Sequence, residues 1–115
     1  MKKLVKIMKA LSDPTRLKIV KMLQHKTLCV CEIQAALGQS QPNVSKHLKI
    51  LQEAGLVESR KDGLWVNYAL SSTGKDDPYA ATLLGNMEGW LEDDPEMRAI
   101  LEKIHFVDRV TLCRS

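Results

Sequence analysis

Four residues, Leu37-Gly38-Gln39-Ser40, constrain this chain more than any others, because they place a tight turn between two amphipathic stretches. Glycine after an apolar helical run ends a helix with positive φ, and a serine two residues later caps the next helix. Val44, Leu48 and Leu51 then recur at i, i+4 and i+7 as a packed stripe. Gln41, Asn43, Ser45, Lys46 and Lys49 are left on other faces, Pro42 is tolerated in the first turn, and Gly55 closes the helix. Two helices joined by a short glycine-containing turn, the second with a polar, cation-bearing face, form the helix-turn-helix pattern. Asn and Gln pair bidentately with adenine in the major groove, and lysines hold phosphates. Those five polar residues are therefore candidate DNA contacts, against the plainer reading of a solvated helix face.

The helix before that turn begins at Cys29 and runs to Leu37, with Ile33 and Leu37 towards the core. Its start has the form of a capping box, with Glu32 in the third helical position. An oxygen-bearing residue normally fills the first place. Here Cys29 stands there, although sulfur is a weak acceptor. Cys29-Val30-Cys31 thus keeps two thiols where a better cap was available, and the helix dipole is expected to favour their thiolates. Residues at i and i+2 point to opposite sides of a regular helix. One ion held by both must distort the first turn or use its non-helical cap.

The flanking segments read more simply. Leu4, Ile7, Met8 and Leu11 give an amphipathic opening helix, ended by Ser12-Asp13-Pro14, where Asp13 caps the next helix and Pro14 begins it. Leu17, Ile19, Val20 and Leu23 supply its buried face. Residues 56–61 and 64–70 read as two strands around an Asp62-Gly63 turn. This hairpin looks like a wing, with Arg60 and Lys61 beside its tip to lie along phosphates. Residues 71–77 are polar and turn-rich, a candidate linker. Beyond them Tyr79, Leu83, Met87, Trp90 and Leu91 mark one helix from Pro78, and Met97, Ile100, Leu101 and Ile104 another, capped through Asp93-Asp94-Pro95. His47 reads as a packing or phosphate residue and His25 as a loop residue.

Residues 1–70 carry 12 Lys and Arg against 5 Asp and Glu, whereas residues 71–115 carry 5 against 9. Such asymmetry suits a molecule with one face on phosphate, although scattered solvated lysines give the same totals. No apolar run approaches the ~18 residues needed to cross a bilayer, and Lys6 and Lys9 interrupt any signal-like region, so the expected location is cytoplasmic with no membrane partner. Three cysteines make a poor disulfide framework and suit a metal or redox site in a reducing compartment. No phosphate-cradling loop or acid/base pair is present, which argues against an enzyme such as a thiol-based arsenate reductase.

The expected fold is mainly α with a small antiparallel β-hairpin: a winged helix-turn-helix of order ααααββ plus C-terminal helices. Residues 1–75 form the DNA-binding domain with its N-terminal dimerisation helix. Residues 76–115 form C-terminal dimerisation helices and a tail carrying Cys113. The outer helices have more apolar surface than a ~60-residue winged core covers, and pairing across a two-fold axis into a homodimer removes it.

Leu11-Ser12-Asp13-Pro14-Thr15-Arg16-Leu17, Leu28-Cys29-Val30-Cys31-Glu32-Ile33, Gln39-Ser40-Gln41-Pro42-Asn43-Val44-Ser45-Lys46-His47-Leu48 and Asp62-Gly63-Leu64-Trp65-Val66-Asn67-Tyr68 resemble the ArsR/SmtB transcriptional repressors in register over about residues 4–70. The resemblance implies a dimeric repressor that binds operator DNA near its own operon and releases it when a toxic metal or metalloid binds. The Cys29 and Cys31 pair looks like the thiol site of the arsenite and antimonite sensors, with As(III) or Sb(III) as inducer. In that pattern a third cysteine follows, but Gln34 stands there, which leaves the set one thiolate short. Cys113 is the remaining thiol, so the expected metal set is Cys29, Cys31 and Cys113, the last from either protomer. The cadmium and lead type adds cysteines from an N-terminal arm, absent before Cys29. The zinc type needs a C-terminal set that His105 and Asp108 do not supply at the right spacing. Another soft thiophilic ion such as Cd(II) or Pb(II), and a repressor sensing redox state or persulfide through its cysteines, are the alternatives. Because one ion cannot easily hold residues i and i+2 of a regular helix, binding is expected to distort the first turn, and the strain to pass through the short turn to the helix at 41–54.

Overall fold

A computed structural model describes residues 1–71 and 77–106 of the chain. The elements are α1 (Lys2–Leu11), α2 (Pro14–His25), β1 (Leu28–Cys29), α3 (Val30–Leu37), α4 (Gln41–Glu53), β2 (Val57–Asp62), β3 (Trp65–Leu70), α5 (Pro78–Asn86) and α6 (Pro95–Phe106). Capping chemistry sets most of the helix boundaries. Asp13 accepts the Arg16 N–H at 3.1 Å with Pro14 at the first helical position, and Ser40 Oγ accepts the Asn43 N–H at 3.3 Å. Asp77 and Asp94 do the same for Ala80 (3.2 Å) and Met97 (2.9 Å). Each satisfies a donor that the first turn of a helix leaves unpaired. Gly38, at φ 70°, ends α3 in the left-handed conformation expected of a glycine there.

Behind the turn, Val44, Leu48 and Leu51 are buried on α4 and meet Ile33 and Ala36 of α3 and Ile19, Val20 and Met22 of α2. The same continuous cluster takes in Met97, Ile100, Leu101 and Ile104, since α6 packs across α2 and α3. Lys21 is fully buried within it. Its Nζ donates to Gln24 Oε1 at 2.6 Å and to the Met87 carbonyl at 2.8 Å, with the Glu92 carboxylate 3.6 Å away. A buried ammonium is costly unless paired and hydrogen-bonded, and these partners fasten the α5–α6 connection onto α2.

Three expectations change. Leu28 and Cys29 form a short strand of their own, pairing antiparallel with β3 (Leu28 with Tyr68, Cys29 with Asn67), so the sheet has three strands in the order β1-β3-β2. Cys29 remains the N-cap residue of α3, as the capping-box spacing predicted, and its backbone is extended. Asp62 belongs to β2, paired with Trp65, and the hairpin turns on Gly63 and Leu64. Gly63 has φ 61° and takes the first place of the two-residue loop, the one a type II′ turn assigns to glycine. Finally, α5 ends at Asn86. Gly89 (φ 83°) and Leu91 (φ 64°) turn the chain, which leaves Trp90 and Leu91 off the helix and exposed together with Tyr79. Met87 is buried as expected, with Ala80 and Leu84 beside it in place of Trp90 and Leu91, and on α1 Met8 is exposed while Ala10 is buried.

Candidate nucleic-acid interface and thiol site

Because the stripe of α4 is spent on the core, its opposite face is committed to solvent. Gln41, Asn43, Lys46 and Lys49 are exposed there and Ser45 is half-buried. Asn43 Nδ2 donates to Gln39 Oε1, and Gln39 Nε2 donates to Thr15 Oγ1 at 3.2 Å, a polar string tying the turn to α2. From behind, Arg16 holds the same helix. Its Nε and Nη2 donate to the carbonyls of Ala10 (2.7 Å) and Lys9 (3.3 Å) at the end of α1, and Nη1 donates to His47 Nδ1 at 3.2 Å. His47 is therefore a positioning residue on the buried side of α4. Burial raises the pKa of the adjacent Asp13 carboxyl, but the Arg16 N–H and guanidinium outweigh it and hold it below the ordinary value.

The wing divides its two cations. Opposed residues of an antiparallel pair share a face and neighbours alternate. Ser59 accepts from Gln52 Nε2 of α4 at 3.0 Å, so Lys61 shares the α4-facing side. Arg60 lies on the other face with Glu58 and Asn67, around a cavity of about 220 Å³ also lined by Thr27 and Ala69. Both are exposed. They do not address the same phosphate from one orientation.

The thiols are brought together by β1. Cys29 has extended backbone (φ −90°, ψ 169°), not helical, so the opposition expected of i and i+2 in a regular helix does not apply. Cys29 and Cys31 line one cavity of about 280 Å³, and its remaining lining is Val30 with Leu64, Trp65 and Val66 of the wing. The Glu32 carboxylate accepts the Cys29 N–H at 2.9 Å, one half of the expected box, while the Glu32 N–H faces the weakly accepting sulfur. Cys29 is 2% exposed. Burial pushes its thiol above the ordinary value; the Glu32 N–H opposes this, and the Glu32 charge and side chain add to it. The expected depression by the helix terminus is thus overturned: desolvation dominates at Cys29.

Cys31 is half-buried and disulfide-bonded. Cys113 lies outside the described residues. Among the described residues, no group of three or more His, Cys, Asp or Glu side chains is placed to hold a metal ion. Sequence reasoning missed the wing wall of this cavity. The only signal for β1 was the apolar, β-prone run around Leu28, and two residues are too few for a period-2 pattern to show.

Known proteins fit this geometry. Residues 13–59 match the family described as bacterial regulatory protein, arsR family. Over 101 residues, 87% of this chain, it is 40% identical to 83% of the arsenical resistance operon repressor of Escherichia coli K12. Among solved structures, HlyU from Vibrio cholerae N16961 superposes with a TM-score of 0.63 at 34% identity, covering 76% of this chain and 91% of that one. The homodimeric winged helix-turn-helix DNA-binding domain of Mb0332 from Mycobacterium bovis gives 0.62 at 25% identity, covering 81% and 86%.

Proposed function

Since this chain belongs to the ArsR family of transcriptional repressors, we propose that it holds operator DNA as a homodimer and releases it when As(III) or Sb(III) binds Cys29 and Cys31. The observation that carries this reading is the shared cavity: the extended N-cap lets two thiols i and i+2 apart line one space. Soft As(III) favours thiolates. Each thiol replaces one hydroxyl of arsenous acid, its proton leaving with that hydroxyl as water, with no change of oxidation state. Cys113 is the third candidate ligand, supported by the count of three cysteines. Gln41, Asn43, Ser45, Lys46 and Lys49 meet the DNA from α4, with Lys61 and Arg60 on the wing. The homodimeric Mb0332 domain supports the two-fold assembly, which sets two reading helices one helical turn apart.

The test is fluorescence anisotropy of a duplex from upstream of the chain's own coding region, titrated with As(III), Sb(III), Cd(II) or Pb(II). Arsenite is expected to release the reduced wild-type protein. Cys29→Ser and Cys31→Ser are expected to stay bound, and Cys113→Ser to bind arsenite more weakly. Unchanged operator affinity in saturating arsenite overturns the reading; release by Cd(II) alone transfers it to that ion.

A second reading is favoured by the disulfide at Cys31. A sulfur in a disulfide does not ligate arsenic, so the metalloid reading applies to the reduced chain. A thiol redox or persulfide repressor would use the same cysteine. Anaerobic arsenite compared with polysulfide or peroxide, read by operator binding, separates the two.

A further inference from the structure

We propose that occupancy of the thiol cavity is transmitted to DNA through the wing, with Trp65 as the positioning residue, instead of through the helix-turn-helix turn. This deepens the metalloid reading above and rests on it.

Two independent observations point to the wing. The Cys29 backbone is paired with Asn67 and that of Leu28 with Tyr68, so the sensor residue belongs to the same sheet as the hairpin. Leu64, Trp65 and Val66 also line the cavity directly, and Trp65 lies two residues from Asn67, on the face that Cys29 shares. Anything drawing the two sulfurs together therefore pulls on β3 and meets the Trp65 side chain.

The other route is stiffer. From Cys31 to Gly38 it runs along α3, where Ile33 and Ala36 are locked in the core, and α4 beyond is held by Val44, Leu48 and Leu51 with no exposed surface. Packed interiors resist small displacements. At the hairpin tip, by contrast, Leu64 is 92% and Val66 41% exposed. Lys61 pairs directly with Val66, a lining residue of the cavity, so a shift of β3 moves a phosphate-holding cation. The Gln52–Ser59 hydrogen bond marks where the wing is hinged on α4.

Hydrogen exchange of the full-length reduced protein, with and without arsenite, tests the route. Changed protection is expected in residues 57–70 and little in 41–54. In a Trp90→Phe background, arsenite is expected to alter Trp65 emission, and not when Cys29 and Cys31 are serine. Trp65→Ala is expected to bind arsenite within about threefold of wild type while its arsenite-dependent loss of operator affinity shrinks about tenfold, inside the usual 5–150-fold range of coupling. Trp65→Phe, which keeps a ring in the wall, is expected to retain most of the coupling. Leu64→Ala, at a side chain already in solvent, gives a weaker effect of the same kind without endangering the fold. Wild-type release with undiminished coupling in Trp65→Ala, or exchange changes confined to 41–54, overturns the wing route and leaves the metalloid reading standing. A wild-type protein that binds no arsenite overturns both.

Discussion

The reading helix and the thiol cavity lie at the two ends of one helix-turn-helix, and they are built in opposite ways. The exposed face of α4 comes from one contiguous stretch, whose apolar stripe is buried and whose polar face follows by default. The thiol cavity is assembled from two segments more than thirty residues apart, joined by a two-residue strand. A face made by periodicity tolerates changes on its exposed side and fails when its stripe is cut. A site made by pairing should behave the other way: its chemistry is lost by single changes that scarcely touch stability.

The largest expected effect tests the first half of that contrast. Leu48→Ala removes a fully buried side chain of the stripe and is expected to cost about 2–5 kcal/mol, read as a lower midpoint in urea. Lys46→Ala, two residues away and exposed, is expected to leave the midpoint within about 0.5 kcal/mol. Asn43→Ala comes next: loss of a bidentate base contact is worth about 1–3 kcal/mol of operator discrimination, measured by competition between matched and altered duplexes. Equal effects of Asn43→Ala on all duplexes would reassign it to the backbone.

The pairing half is sharpened by Cys29→Ser. Oxygen accepts the Glu32 N–H better than sulfur does, which offsets the loss of a buried sulfur. Stability is expected to move by less than about 1 kcal/mol while arsenite response disappears. A collapse in thermal stability would mean that Cys29 serves chiefly as core.

The smallest effect concerns acid. The His25 hydrogen bond, with further help from His25 and Lys21 charge and against burial, holds the Glu92 carboxyl below its ordinary 4.5. A depressed folded value stabilises above the unfolded value and is lost as pH falls through the folded one. Glu92→Gln should therefore flatten the stability profile below about pH 4.5 and, because Glu92 is partly exposed, only modestly. An unchanged acid limb contradicts this.

What was legible in the residues follows the same division. Caps at Asp13, Ser40 and Asp94, the glycine at 38 and the α4 stripe are local signals, decided within one or two turns, and they stand in the structure as expected. Long-range pairings were not legible. Nothing near Cys29 announces that Asn67 lies opposite it, nor that Trp65 closes its cavity. The burial that raises the Cys29 thiol has the same origin, since a helix terminus is visible in sequence while the surface covering it is not. Lys21 is a further case: an ordinary lysine in the sequence, it is buried because a carbonyl of Met87 and the Gln24 amide oxygen meet it.

On the proposed mechanism, soft-metalloid occupancy of Cys29 and Cys31 lowers affinity for operator DNA in a folded protein. Its most direct test is the operator dissociation constant of the reduced wild-type protein, with and without saturating arsenite, beside that of the Cys29→Ser/Cys31→Ser double variant. Weakening of about 5–150-fold is expected in wild type with the helical circular dichroism retained, and none in the double variant. Equal constants with and without arsenite in wild type, or equal weakening in the double variant, contradict it.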